Sequence, residues 1–397
     1  MLIDTDFIVF SDDWGRHPFS CQHIMTHFLP GNRLLWVNTI GLRTPQLTLY
    51  DVKRSFEKIA AWARPKRPKT NASFCKNLRI LSPFMIPYNA IRPIRAFNRE
   101  SVVRSVRKAM RDWCFKKPVL LATQPLASDY IGHFDESLVV YYCVDDFTCW
   151  PGMNQPEMVR AMENKFLAHA DLTIVTSESL RRTRSHAKYP PRLLTHGVDV
   201  DHFSGSRNRN RVKPGPLCGL RGPVVGFYGL IDDRLDRKLV SRILTQHPEW
   251  NVVFIGTTTI SLDEFQSAPG FLHIDAVPYD ILPDYAACFD VAIVPYQVNS
   301  QTVSINPLKL KEYLAAGKPV VATPLPEVLF LAPVVRTAST PDAFINEIEA
   351  ALSTPLAQES LRVVLEGERW EDKASVLSGW IMDALHQKCI SGSFSDA

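Results

Sequence analysis

No stretch of the 397 residues approaches eighteen uninterrupted apolar side chains, so nothing in the sequence reads as a membrane span. The opening MLIDTDFIVFSDDWG offers acids where a signal peptide needs cations, so export is not expected. Eight cysteines, at 21, 75, 114, 143, 149, 218, 288 and 389, form no Cys-x-x-Cys pair. Free thiols in a reducing cytosol are therefore expected, not a disulfide frame or a zinc site. Internal repeats and low-complexity tracts are also missing. AAGKP (Ala315–Pro319) lacks the first glycine of a phosphate-binding P-loop, and Pro319 stands where its hydroxyl belongs. Asp4–Asp6 and Asp199–Asp201 spell Asp-x-Asp, but one precedes the first strand and the other opens a hinge. Both read as solvated turn acids, and no metal is expected.

What is present is a globular composition, 46% apolar and 22% charged, in a chain too long for one ordinary core. Strand-like runs fall at Phe7–Phe10, Leu34–Asn38, Leu78–Leu81, Val119–Ala122, Leu138–Val144, Leu172–Val175 and Arg192–Thr195. Helices fit Pro18–Phe28, Ile94–Phe115, Pro156–Ala170 and Glu178–Ala187, with Pro18 suited to a first helical position. SGSRNRNRVKPGPLCGLRGP (Ser204–Pro223) has no apolar periodicity and reads as a linker. The alternation then restarts with strands at Val224–Tyr228, Val252–Ile255, Leu272–Ala276, Val291–Tyr296 and Val320–Ala322. Helices fit Arg237–Gln246, Ile281–Cys288, Pro307–Ala316 and Pro341–Leu352, and the tail 359–387 reads as helical. This predicts an α/β protein of two doubly wound Rossmann-like domains facing across a cleft. Their expected extents are 1–203 and 223–370, joined by a linker at 204–222. A last helix, 371–397, is expected to cross back to the first domain.

In open parallel sheets ligands bind beyond the C-terminal strand ends, where helix N-termini present free N–H groups. Asn306 and Pro307 have the chemistry of a helix start, an N-cap followed by proline. Lys309 then falls in the first turn, where a cation opposes the helix dipole. A bound phosphate reverses that sign. Glu312, three residues on, shares the face. An ammonium for a diphosphate and a carboxylate for ribose hydroxyls together suggest a nucleoside-diphosphate site.

NPLKLKEYLAAGKPVVATPLPEV resembles the donor-binding segment of GT-B glycosyltransferases of the group-1, family 4-like class. VVGFYGLID, HPEWNVVFIG, ILPDYAACFDVAIVPY and LLTHGVDVDHF carry the same resemblance over roughly 193–330. FSDDWGRHPFSCQHIM is similar to the loop after the first strand in these enzymes. A narrower likeness is to the teichuronic-acid and xanthan-type glucuronosyltransferase subgroup. The resemblance implies the GT-B fold and a nucleotide-sugar donor, with Gly229 in the GFYG loop. Glu312 matches the second glutamate of the family's Glu-x7-Glu signature, which holds the donor ribose. The first falls on Ser304, so hexose recognition and a retaining outcome lack their usual residue. Lys309 is similar to the diphosphate-binding lysine of the glucuronosyltransferase type. Arg234, Arg237 and Lys238 are candidates for the basic residue after the GFYG loop, and Pro278 and Tyr279 for flanking the base.

On the acceptor side, strand Leu138–Val144 runs into Asp145 and Asp146, where relatives often place a histidine. One carboxylate there suits a general base for an inverting displacement, and Asp146 is slightly preferred. The competing reading is that one of the pair caps the following loop. His17 is a second catalytic candidate, and Gly15 would let the backbone approach a phosphate.

Between Asp51 and Lys117 stand 18 Lys/Arg against four acids, a local balance of +14 in a chain whose net charge is +4. Nucleic acid is one partner for such charge, but no recognised nucleic-acid module accompanies it. An anionic leaflet bearing a lipid-diphosphate acceptor accounts for both the charge and the neighbouring aromatics. The expectation is a cytoplasmic glycosyltransferase, peripheral on the inner face of the plasma membrane. It would move a sugar from a UDP-linked donor to a lipid-linked or glycan acceptor in cell-surface or exopolysaccharide synthesis, without cofactor. Two rivals stay open: a sugar-nucleotide epimerase or hydrolase of the same fold, and a degenerate scaffold.

Overall fold

The computed structural model describes residues 1–15, 19–41, 76–150, 152–205, 214–354 and 356–393. His17, Pro18, Cys75 and residues 51–75 of the basic block lie outside the described residues. The chain divides into two compact units, Met1–Thr195 with Lys373–Ala397, and His196–Asp372.

The first unit is built on seven parallel strands: β1 (Asp6–Ser11), β2 (Arg33–Asn38), β3 (Leu78–Leu81), β4 (Val119–Ala122), β5 (Leu138–Cys143), β6 (Leu172–Val175) and β7 (Arg192–Leu193). They lie in the order β3-β2-β1-β4-β5-β6-β7. β4, β5 and β6 are buried at every position, which is why they read as unbroken apolar runs instead of alternating ones. Helices α1 (Ser20–Phe28), α2 (Arg92–Asp112), α3 (Pro156–His169) and α4 (Glu178–Thr183) connect them. α1 begins at Ser20 with Phe19 as its N-cap, later than the proline-led start expected.

The second unit repeats the plan with β8 (Val224–Tyr228), β9 (Asn251–Ile255), β10 (Phe271–Ile274), β11 (Val291–Val294), β12 (Val320–Ala322) and β13 (Val335–Thr337), in the order β10-β9-β8-β11-β12-β13. Its longer helices are α5 (Arg237–Gln246), α6 (Leu308–Ala315), α7 (Pro341–Ser353) and α8 (Gln358–Leu365). In each sheet the order reverses beside the first strand, at β1/β4 and at β8/β11, which leaves a crevice beyond the strand ends.

Three sequence expectations give way here. The tail is two helices, α8 and α9 (Trp370–Ser393), broken at Gly367, whose φ of +69° a side-chain-bearing residue adopts only with strain. β13 was not foreseen. The chain also passes between units at 195/196, ahead of the polar stretch expected to link them, because Val198, Phe203 and Leu217 are buried in the second unit's core. The residues after the passage pair with those before the return: Val198 N–H donates to Glu368 O at 2.8 Å, and Arg369 forks onto Asp201. α9 packs with the first unit, where Ser378 Oγ takes the Leu2 N–H and Lys388 meets Asp171 at 2.6 Å.

Candidate functional site

The crevice of the second unit lies where β8 and β11 part. Gly229 follows β8, Tyr296 follows β11, and α6 begins close by. α6 ends in a Schellman turn: Gly317, at φ +73°, lets its own N–H reach Leu314 O and the Lys318 N–H reach Tyr313 O. At its start the structure differs from the sequence reading. Pro307 is the cap residue, and no side chain caps α6. Asn306 instead donates to Glu327 Oε2 at 3.0 Å, both side chains being buried. A buried carboxylate outbids a local cap. Ser304 is also buried, in the three-ten turn Thr302–Ser304.

Lys309 is turned inward over the sheet edge. Its Nζ lies 2.6 Å from Tyr296 Oη and 4.1 Å from the centroid of the Phe227 ring. The Arg234 guanidinium sits 5.3 Å over the other aromatic partner, Tyr296, and is held by Asp232 at 2.8 Å. Burial first, and then the charge of Arg234, press the Lys309 ammonium below its ordinary pKa. Burial opposes the same change at Tyr296, but Lys309 and Arg234 pull its hydroxyl below the usual phenol value. Two cations thus share one ring beside a helix N-terminus, with Asp232 on Arg234 and Glu312 in electrostatic reach of Lys309. Such a place favours a bound anion.

Gly229 is required here. Its φ is +128°, and a Cβ on it would fall 2.7 Å from Lys309 Nζ.

Glu312 sits one turn along α6, 7% exposed, and accepts the Tyr228 hydroxyl at 2.9 Å. Burial raises its carboxyl to about 7, against the lowering pull of Tyr228 and Lys309. The Tyr228 N–H donates to Tyr313 Oη at 2.8 Å, so side chains of α6 grip the end of β8 twice. Tyr279 comes near enough for the charge of Glu312, after burial, to raise its hydroxyl. Its ring stacks on His202 at 4.7 Å, and Pro278 beside it is exposed and opens the turn Tyr279–Ile281.

Of the candidates named from sequence, Gly229, Arg234, Lys309, Glu312 and Tyr279 therefore gather at one strand-end crevice. Arg237 and Lys238 do not join them. Arg237 pairs with Glu264 at 2.6 Å, and both line a shallow recess on α5 with Lys238. Sequence reading passed over Tyr228, Asp232 and Tyr296. Their signal was an aromatic residue ending each of two adjacent strands, and an acid two residues before an arginine.

In the first unit the two aspartates after β5 are both engaged. Asp146 caps the turn Phe147–Cys149, with Oδ1 taking Thr148 N–H at 3.1 Å and Thr148 Oγ1 at 2.6 Å. Its Oδ2 meets Arg184 at 3.2 Å, and Arg184 pairs with the buried Glu163 at 3.0 Å. Burial raises the Asp146 carboxyl, but Arg184 and Thr148 outweigh it and hold the group below its ordinary range. The geometry gives Asp146 the capping role, the competing reading of the aspartate pair. Asp145 takes Asp146 N–H at 2.8 Å and the Trp150 indole N–H at 2.7 Å. Gly15, at φ +77°, has its N–H taken by Gln22 at 3.0 Å. A further polar network, unnoticed in the sequence, lines the β1/β4 crevice: Gln124 bridges Asp12 at 2.9 Å and Thr39 at 3.1 Å, while Ser11 meets Thr123 at 2.9 Å. Among the described residues no helix is long and apolar enough to cross a membrane, and no three His, Cys, Asp or Glu side chains cluster as metal ligands.

Two doubly wound parallel sheets of this kind define the GT-B fold. Residues 224–354, which carry all six strands of the second sheet and the crevice residues Gly229, Arg234, Tyr279, Lys309 and Glu312, match the family model for Glycosyl transferases group 1. The chain is 29% identical over 176 residues to TuaH of Bacillus subtilis, named as a candidate teichuronic acid biosynthesis glycosyltransferase. That match spans 43% of this chain and 44% of TuaH, less than half of each. Among solved structures, HepE of Anabaena in complex with UDP-glucose superposes with a TM-score of 0.57 at 12% identity, covering 98% of this chain and 99% of HepE. The α,α-trehalose 6-phosphate synthase of Burkholderia multivorans superposes at 0.64 and 13%, covering 98% and 100%. At such identities the likeness speaks for the fold alone.

Proposed function

We propose that the protein is a glycosyltransferase that takes a UDP-linked sugar and moves it to a hydroxyl of a lipid-linked acceptor in cell-surface polysaccharide synthesis. The observation that carries this reading is the inward ammonium of Lys309, paired with Arg234 around Tyr296 at the β8/β11 crevice and followed by Glu312. A diphosphate supplies the negative charge that such a crevice favours, and its oxygens can accept from Lys309, Arg234 and the first N–H groups of α6. Ribose hydroxyls donating to Glu312 favour its ionised form. Tyr279 and Pro278 flank the base. The UDP-glucose in HepE and the name of TuaH support the donor class and the polymer context.

In the reaction the acceptor oxygen attacks the anomeric carbon and the bond from that carbon to the phosphate oxygen breaks. The electron pair leaves with UDP, held by the two cations, and no metal is required for that neutralisation. The acceptor proton passes to a carboxylate. We assign that base to Asp145 ahead of Asp146, because Asp146 is spent on Thr148 and Arg184. His17 remains a second catalytic candidate, and Gly15 a donor-side one that lets the backbone approach a phosphate. A uronic acid is the donor sugar that best suits a site with Ser304 and two cations.

Thermal-shift titration with UDP, GDP and their sugars tests the donor. A stabilisation by UDP that Lys309→Ala abolishes supports the reading, and equal stabilisation of both chains overturns it. Incubating UDP-sugars without acceptor separates transfer from the epimerase or hydrolase alternative, which would isomerise or cleave them.

A further inference from the structure

We infer that the outer face of α2, together with the loop that precedes it, is a docking surface for an anionic lipid bilayer. Four large apolar side chains within fourteen residues, Phe84, Tyr88, Ile91 and Phe97, are each between 41% and 51% exposed. They are held outward by a fixed scaffold. Asn98 accepts the Ile86 N–H at 2.8 Å and donates to Ile86 O at 2.7 Å and to Asn89 at 2.9 Å, and Ser101 donates to Phe84 O at 2.7 Å. The Phe84 and Phe97 rings meet edge to face at 6.2 Å. The loop is therefore clamped to α2 through the buried Asn98 amide while Tyr88 and Ile91 keep 41% and 50% of their surface exposed.

The charge beside this cluster is predominantly positive. α2 carries seven Lys/Arg against two acids. Arg95 is turned onto Asp129 and Arg104 onto Glu100. Arg92, Arg99, Lys108 and Arg111 are exposed and have no ion pair among the described residues. At 100° per residue Phe97, Arg104, Lys108 and Arg111 recur along one outer stripe, away from the buried Val102, Val106 and Ala109. An anionic bilayer rewards both halves of this surface, taking apolar side chains a few Å into the headgroup boundary and cations at the phosphates. A nucleic acid rewards the cations but gains nothing from Ile91. The purpose of the surface, presenting the protein to a lipid-linked acceptor, rests on the function proposed above. Its binding does not.

The experiment is co-sedimentation of the full chain with phosphatidylcholine vesicles, with and without phosphatidylglycerol. The protein is expected to pellet with the anionic vesicles and to be released by salt. Phe84→Ser/Ile91→Ser/Phe97→Ser is expected to weaken binding by about tenfold or more, and Arg99→Glu/Lys108→Glu/Arg111→Glu by about a hundredfold or more. Both triple variants should keep the UDP-induced thermal shift, which shows that they are folded. The inference is overturned if the native chain ignores anionic vesicles, if either variant binds them as the native chain does, or if duplex nucleic acid outcompetes them. Loss of the UDP shift in the native chain overturns the donor reading alone.

Discussion

Lys309 Nζ donates to Tyr296 Oη at 2.6 Å, and that phenol also lies beneath the Arg234 guanidinium. The Lys309 side chain is half-buried, with its ammonium turned in beside a like charge and at the wrong end of a helix. Replacing it should therefore have two opposite effects. Lys309→Ala is expected to raise the melting temperature of the unliganded protein by an amount worth up to about 1 kcal/mol. The same change should weaken UDP binding by roughly 10- to 100-fold, the worth of a charge-assisted bond to phosphate. Calorimetry on one pair of proteins reads both.

Glu312 gives a pH signature. Its folded pKa of about 7 lies above the ordinary carboxylate value of 4.5, so between those pH values the folded state holds a proton that the unfolded chain releases. Stability of the unliganded protein then falls as pH rises through that window. Glu312→Gln removes the dependence and should be stabilising at pH 8, by on the order of 3 kcal/mol at most, and near neutral at pH 4.5. UDP affinity should move the other way, strengthening as pH rises through about 7 in the native chain and staying flat in Glu312→Gln. Denaturant melts at the two pH values check the first statement, and titrations the second.

Asp145 and Asp146 separate by the kind of damage each loss does. Asp146→Asn keeps an oxygen to cap Thr148 and should cost about 1–2 kcal/mol of stability through the lost charge facing Arg184. Arg184→Met should cost roughly 3–5 kcal/mol, because it leaves Glu163 buried without its counter-charge. Asp145→Asn should leave the melting temperature nearly unchanged and lower kcat by about a hundredfold or more. A kcat loss confined to Asp146→Asn would return the base to that residue.

Gly229→Ala places a methyl group 2.7 Å from Lys309 Nζ, on backbone at φ +128°. The expected result is a loss of about 1–3 kcal/mol in stability together with loss of the UDP-induced shift. Normal UDP binding by Gly229→Ala would show that the ammonium can sit elsewhere.

Both sheets were legible because parallel strands covered on two faces need apolar residues at nearly every position, and those runs stand out in a linear sequence. β13 escaped because it is three residues long and carries Arg336, which pairs with Glu347 of α7. Lys309 and Glu312 were legible because the conflict between a lysine and a helix N-terminus is local, readable within four residues. Asn306 was misread as a cap for the opposite reason: its partner, Glu327, lies far along the chain, and a propensity argument sees only neighbours. The cap that Asp146 places on Thr148 is local and was one of the two sequence readings, whereas its pairing with Arg184 was not legible. The place where the chain passes between units was missed because composition marks polar stretches and cannot tell that Phe203 and Leu217 are packed in a core.

A crevice that holds a guanidinium and an ammonium around a single phenol has a practical consequence under the proposed function. If it takes a diphosphate, inorganic phosphate or sulfate at buffer concentration should compete for the same two cations and make nucleotide constants come out too weak, so titrations belong in buffers free of both anions.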